Sequence, residues 1–143
     1  MSKTAIIYWS GTGNTEAMAF AVLEGVQSCG NTADLFKVSE TTAAAAAEYE
    51  TLILGCPAMG SEVLEEDEFD PFFTELEASL SGKKTALFGS YGWGDGEWMR
   101  NWEQRVINAG GILVNGEGLT VNEAPDDSAL EECRALGKAA VSE

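Results

Sequence analysis

Short apolar runs alternate along the chain with longer segments in which apolar residues recur at helical spacing. The runs predict strands at residues 5–9, 32–38, 51–56, 84–90 and 112–121, the last interrupted at Asn115-Gly116. The periodic segments predict helices at residues 16–25, 41–48, 71–82, 97–109 and 126–141. A strand followed by a helix five times predicts an α/β protein whose parallel sheet is covered by helices on both faces. Because no linker interrupts this pattern, residues 1–143 are expected to form one domain.

Local signals predict where two of the helices begin or end. Gly30 follows the first periodic segment and suits the position just after a helix. Asp70 and Pro71 are predicted to be the N-cap and the first residue of the third helix, which Gly82 would end.

The charge of the chain restricts its partners. It has 24 acidic and 8 basic residues, a formal net charge of −16, and no histidine. Nucleic acids and anionic membranes attract basic proteins, so neither is an expected partner, whereas a basic protein surface is. A sequence without histidine also excludes triads and metal sites that use it.

The cysteines and the first residues bear on the compartment. Cys29, Cys56 and Cys133 are odd in number and widely spaced, so they predict neither a disulfide framework nor a metal site. The chain begins without a signal-peptide pattern, and no apolar run is long enough to span a membrane. These features predict a cytoplasmic protein.

Glycine and hydroxyl residues are concentrated between the first strand and the first helix, at Ser10, Gly11, Thr12, Gly13, Asn14 and Thr15. A helix start offers unpaired N–H groups and partial positive charge, so this loop predicts a phosphate site. The loop lacks the lysine of a Walker A motif and the third glycine of a dinucleotide motif. No lysine or arginine lies between Lys3 and Lys37, which favours a bound monophosphate. A plain connecting turn is the alternative.

Two further loops follow the third and fourth predicted strands. Met59 and Trp93 are large apolar residues flanked by glycine, where a surface turn would be polar. Carboxyl ends of parallel strands share one edge of the sheet, so all three loops are expected to meet there. A thioether and an indole suit the two faces of a planar ring, unless both anchor their loops to the core. A ring, a linker and a phosphate describe flavin mononucleotide (FMN).

The three motifs resemble those of short-chain, clostridial-type members of the flavodoxin family, over essentially the whole chain. The motifs are residues 8–15 (YWSGTGNT), 56–60 (CPAMG) and 90–96 (SYGWGDG). The resemblance implies a flavodoxin-like, doubly wound sheet of five parallel strands in the order 2-1-3-4-5. It assigns cofactor contacts to Ser10, Gly11, Thr12, Gly13, Asn14, Thr15, Pro57, Ala58, Met59, Gly60, Glu62, Ser90, Tyr91, Gly92, Trp93 and Gly94, with no catalytic residue and no metal.

Within that resemblance, Met59 and Trp93 would sandwich the flavin ring, and Glu62 would bond near its N3 atom. The Gly60 carbonyl would turn toward flavin N5 on one-electron reduction, which glycine permits cheaply, and Ser61 would tune this flip. Glu62 could instead begin a solvated acidic run, and Gly60 could be a plain turn residue. Tyr91 either stacks on the ring or packs beside it. Trp9 and Trp98 are expected to pack in the core or at its rim.

The resemblance implies a monomeric, low-potential electron carrier that uses the semiquinone/hydroquinone couple of tightly but non-covalently bound FMN. The run from Glu62 to Asp70 would dock basic redox partners such as reductases and ferredoxin-dependent oxidoreductases. An FMN-binding regulatory module and a small flavin or quinone reductase are the alternatives. A Cys-x5-Arg phosphatase is excluded because Glu62 stands where arginine is required, and a phosphoacceptor domain is excluded by Trp9.

Overall fold

The strands of the chain form one parallel sheet in the computed structural model, which describes residues 3–60, 62–92 and 94–142. The strands are β1 Thr4–Tyr8, β2 Asp34–Lys37, β3 Thr51–Gly55, β4 Lys84–Tyr91, β5 Ile112–Leu113 and β6 Leu119–Asn122. The α-helices are α1 Asn14–Ser28, α2 Ala43–Ala46, α3 Phe69–Leu76, α4 Glu97–Asn108 and α5 Asp127–Val141. Short 3₁₀ turns cover Val38–Glu40, Glu77–Ser79 and Val114–Gly116. The sheet order β2-β1-β3-β4-β5 confirms the predicted fold.

The last predicted strand is divided in two. β5 pairs with the start of β4, and β6 pairs with its end, with the register Phe88↔Leu119. Between them Asn115 has a φ of +64°, a left-handed conformation that a strand cannot contain. The break lies at the predicted Asn115-Gly116 interruption, and it carries β6 to the same sheet edge as the carboxyl end of β4.

The sheet separates two apolar cores, because successive side chains of a strand point to opposite faces. Ile7 belongs to the core under α2, α3 and α4, together with the fully buried Phe73 and Trp102. Ile6 belongs to the core under α1 and α5, together with Met18. The predicted covering of both faces is therefore confirmed.

Helices α1 and α5 pack at unusually close range. A Cβ atom added at Gly25 would lie 2.0 Å from the carbonyl oxygen of Arg134, and one at Gly137 would lie 2.2 Å from that of Val22. No side chain fits in either place, so two glycines allow the backbones of the two helices to approach each other.

The predicted start of the third helix, Pro71, is wrong by two residues. α3 begins at Phe69, and Asp70 lies inside its first turn rather than at its N-cap. The carboxylate that binds the free N–H groups comes from further upstream: Glu65 accepts hydrogen bonds from the amides of Asp67, Glu68 and Phe69 at 2.8–2.9 Å. Asp70 instead pairs with Arg105 on α4, at 3.0 Å.

Candidate cofactor site

Three loops meet at the carboxyl edge of the sheet and enclose a cavity of about 500 Å³. They follow β1, β3 and β4, as the strand order requires for a site at a topological switch point. The predicted residues on the cavity wall are Ser10, Gly11, Thr12, Asn14, Thr15, Pro57, Ala58, Met59, Ser90, Tyr91 and Gly92. The structure thus brings the three sequence motifs together in one place.

The loop from Ser10 to Thr15 is organised around one hydroxyl group. Ser10 Oγ accepts hydrogen bonds from the amides of Gly13, at 3.1 Å, and Glu16, at 3.2 Å. Gly13 precedes α1 with a φ of +96°, which favours glycine at this turn. Asn14 and Thr15 stand in the first helical turn, where N–H groups lack partners within the helix, and both line the cavity. The loop therefore has the donors that an anion requires.

A buried hydrogen bond ties the start of α1 to the end of β4. Thr15 Oγ1 and Ser90 Oγ lie 3.2 Å apart, and both residues are at most 5 % exposed. Either hydroxyl can donate. The contact fixes the distance between the loop after β1 and the loop after β4, both of which contribute to the cavity wall.

The two aromatic residues before the loop donate to carboxylates. Tyr8 donates to Glu16 Oε2 at 2.7 Å, and burial together with this bond raises the pKa of Tyr8, so the phenol keeps its proton. Trp9 donates from Nε1 to Glu68 Oε1 at 3.2 Å and lines the cavity. The prediction of core or rim packing for Trp9 thus omitted its place in the cavity wall.

The loop after β3 is closed by a short antiparallel bridge. Met59 and Val63 exchange two backbone hydrogen bonds, at 2.9 and 3.1 Å, around a turn in which Gly60 has a φ of +43°. The Ala58 amide donates to the Ser90 carbonyl at 3.0 Å, which continues the pairing of β3 and β4 beyond the strands. Met59 is thereby held on the cavity wall. Ser61 lies outside the described residues, so its predicted effect on the peptide flip stays a prediction.

Glu62 is buried and does not belong to a solvated surface, since its residue exposure is 9 %. Its Oε1 atom accepts hydrogen bonds from the amides of Gly96, at 3.1 Å, and Glu97, at 3.0 Å. The carboxylate thus binds the N-terminus of α4, where the helix dipole favours negative charge. A Cβ atom at Gly94 would lie 2.4 Å from the Glu62 carboxyl carbon, so these two loops touch.

Two tryptophans and a tyrosine were predicted around the loop after β4. The Tyr91 ring lines the cavity and also lies 5.6 Å from the ring of Trp98, so it packs and contributes to the site wall. Trp98 is 1 % exposed and donates to the Cys56 carbonyl at 3.1 Å, which confirms its predicted place in the core. Trp93 lies outside the described residues, and its predicted place on the ring stays a prediction.

The loop after β6 also lines the cavity, and sequence reasoning missed it. Glu123 and Ala124 are on the wall, and the Glu123 amide donates to the Tyr91 carbonyl at 2.7 Å. The sequence signal for this fourth loop was the strand interruption at Asn115-Gly116. Because the strand breaks there, β6 ends at the same edge of the sheet as the other three loops. Among the predicted residues, Gly13 lines a smaller cavity beside this one, whereas Gly60, Glu62 and Gly94 are not among the lining residues of either cavity.

The acidic run from Glu62 to Asp70 divides into buried and exposed members. Glu65 is 6 % exposed, like Glu62 bound to backbone amides. Glu66, Asp67 and Glu68 are exposed. Asp70 is paired with Arg105 and Glu68 accepts from Trp9, so Glu66 and Asp67 are the most accessible charges of the run.

Comparison with known proteins gives one consistent result. A family model described as "Flavodoxin" matches residues 6–137. The chain is 48% identical to a flavodoxin of Megasphaera elsdenii over 135 residues, which cover 94% of this chain and 96% of that protein. It is 49% identical to a flavodoxin of Clostridium beijerinckii over 133 residues, which cover 93% and 95%.

Solved structures show the same likeness. The solution structure of two-electron reduced Megasphaera elsdenii flavodoxin superposes with a TM-score of 0.86 at 46% identity, over 96% of this chain and 97% of that one. Within the part of the chain that is described, no helix is both long enough and apolar enough to cross a membrane.

Proposed function

The chain belongs to the flavodoxin family, the FMN-binding electron-transfer proteins, and we propose that its FMN lies in the cavity where the three loops meet. It is an electron carrier and not an enzyme. The flavin supplies one-electron chemistry when bound, so the polypeptide has to bind it, orient it and bias its charge state. The observation that carries the proposal is one cavity of about 500 Å³ whose wall combines hydroxyl groups and a helix start with apolar side chains.

The donor end fits a phosphate. Ser10, Thr12 and Thr15 supply hydroxyl groups, and Asn14 supplies a side-chain amide, all on the cavity wall. Both lone pairs of Ser10 Oγ face N–H donors, from Gly13 and Glu16, so its own proton remains available to an acceptor such as a phosphate oxygen. We assign the phosphate to this loop.

The apolar end fits a planar ring. Met59 and Tyr91 line it. We also propose Trp93 as a contact of the ring. Ala58 and Gly92 leave backbone groups without bulky side chains on the same wall, where they suit the polar edge of a flavin. Gly60 and Glu62 are not among the lining residues, so we assign to Gly60 a role through its backbone and to Glu62 the fixing of the loop to α4.

The carboxylates support a low reduction potential. The repulsion between a carboxylate and a second negative charge about 10 Å away costs roughly 0.4 kcal/mol at an effective dielectric constant of about 80. At a dielectric constant of about 20 it costs roughly 1.7 kcal/mol. A cost of about 1.4 kcal/mol lowers a one-electron potential by roughly 60 mV. Glu62 is buried, and Glu123 lies on the cavity wall, so both disfavour a negatively charged cofactor.

An electron carrier has redox partners, and we propose that these are reductases and oxidoreductases with basic docking surfaces. Glu66, Asp67 and Glu68 are exposed on the segment that joins the Met59 loop to α3, and they supply the complementary charge. A net charge of −16 also favours a monomer through mutual repulsion. The family resemblance and the free cysteines lead us to place the protein in the cytoplasm.

An absorption spectrum with stepwise reduction tests this function. The purified protein, or apoprotein reconstituted with FMN, is titrated with dithionite while the flavin bands and both one-electron potentials are recorded. We expect stoichiometric FMN and a second potential well below that of free FMN. A protein that FMN cannot reconstitute would disprove the proposal.

A further inference from the structure

A second cavity, of about 280 Å³, lies on the other side of the loop after β1. Its wall includes Trp9, Ser10, Gly11, Glu16, Lys37 and Glu68. Trp9, Ser10 and Gly11 belong to both cavities, so this loop is the partition between them. Any charge in the second cavity therefore acts on an anion held by the loop.

Lys37 reaches this cavity through strand pairing. Lys37 is the last residue of β2 and lies opposite Tyr8 in the β1–β2 register. Tyr8 in turn precedes Ser10 by two residues. Its backbone amide donates to Glu40 Oε1 at 2.7 Å, which fixes the end of the strand. The side chain is exposed. A positive charge thus stands on the wall of the cavity beside the phosphate loop, although Lys37 is distant from that loop in the sequence.

Most basic side chains of the protein are already engaged. Those with an ion pair or a hydrogen bond are Lys3, Lys83, Lys84, Arg100, Arg105 and Arg134. Within residues 3–60, 62–92 and 94–142, the ammonium groups of Lys37 and Lys138 contact no such partner. Lys37 shares its cavity with the carboxylates of Glu16 and Glu68, whose oxygens accept from Tyr8 and Trp9.

We propose that Lys37 is a positioning residue for the FMN phosphate. The proposal rests on the proposed function. Without Lys37 the cofactor's phosphate dianion would meet the field of Glu16 and Glu68 on a protein of net charge −16. The ammonium group offsets that field at the loop, attracts the phosphate during association and stabilises it once it is bound. The two carboxylates make the second cavity itself unsuited to a separate anion.

The test compares K37Q with K138Q, which removes the same charge from the other unengaged lysine. Lys138 lies in the last turn of α5, whose end contacts Lys84 at the opposite edge of the sheet. Association of FMN with each apoprotein is followed by quenching of flavin fluorescence at several salt concentrations, and riboflavin, which lacks the phosphate, is measured in parallel.

We expect K37Q to bind FMN roughly two- to five-fold more slowly and more weakly at about 20 mM salt, and the difference to vanish near about 0.5 M. K138Q and the charge-conserving K37R should match the wild type, and riboflavin binding should be the same in all four proteins. Equal FMN binding by K37Q and K138Q would overturn the proposal. So would an equal loss of riboflavin binding in K37Q, because that loss reports altered structure. Failure of the wild type to bind FMN would instead disprove the proposed function.

Discussion

Glu62 Oε1 lies 3.1 Å from the amide nitrogen of Gly96, so one buried carboxylate joins the Met59 loop to the first turn of α4. Glu62 holds this position with a φ of +57°, which is uncommon for a residue with a side chain. The loop that carries Met59 is thus fixed by a helix cap that comes from outside the helix.

Replacement of Glu62 by alanine should loosen both elements. E62A removes the acceptor for the amides of Gly96 and Glu97, and we expect it to lower the free energy of unfolding by about 1–2 kcal/mol. FMN affinity should fall as well. E62Q keeps an oxygen acceptor and should retain most of the stability. Urea unfolding and FMN titration measure both effects, and an E62A protein as stable as wild type would contradict this role.

Charge reversal at Glu66 and Asp67 should slow electron transfer to a basic reductase at low salt. Both residues are exposed, whereas the neighbouring Glu65 is a buried helix cap whose replacement would test folding instead. The effect should fade as salt screens the charges.

The control for that experiment is the double reversal of Glu48 and Glu50, which are exposed before β3 at the amino edge of the sheet. Stopped-flow reduction of each holoprotein by the reductase gives the rates. Equal slowing by the two double variants would show a general effect of net charge and would exclude docking at residues 66–67.

Gly137 should tolerate alanine badly, although alanine is the better helix former. An added Cβ would meet the Val22 carbonyl oxygen at 2.2 Å, so G137A forces α1 and α5 apart, at a cost of about 1–3 kcal/mol. The exposed Ala135 on the same helix is the control. At that position alanine should be preferred to glycine, and A135G should lower the free energy of unfolding by about 1 kcal/mol through helix propensity. Urea unfolding of both variants compares them. A stabilised G137A would refute the close packing.

Alkaline pH should weaken the fold partly through Tyr49. Its hydroxyl donates to Asp34 Oδ2 at 2.6 Å, and this bond together with burial raises the pKa of Tyr49 from 10.0 to about 12. The unfolded chain releases this proton first, so the contribution is complete below pH 10 and is lost as the pH rises to about 12. Y49F should be less stable at neutral pH and should lose less stability over that window. Parallel pH profiles in urea unfolding would contradict the prediction.

The sequence was sufficient for the order of the alternating strands and helices and for the sheet edge at which the candidate site lies. Buried parallel strands are continuous apolar runs, and glycine-rich loops after β1, β3 and β4 must share an edge once the strands are parallel. Those two local signals do not depend on any detail of side-chain packing.

The contacts that the sequence did not predict are those that depend on a distant partner. Glu62 and Glu65 look like members of a solvated acidic run, yet each finds free amides at a helix start. Lys37 joins the phosphate loop only through the pairing of β2 with β1. Glu123 reaches the cavity because the last strand breaks and continues as β6. Long-range pairing of this kind has no signature in a single local window.

The contact of Gly25 with α5 also sets an order of events during synthesis. Helix α1 follows the phosphate loop, but its close packing at Gly25 is completed only by α5, residues 127–141. During translation, α5 therefore has to leave the ribosome before α1 can pack against it. Packing of the helix that follows the phosphate loop is thereby linked to the folding of residues near the far end of the sequence.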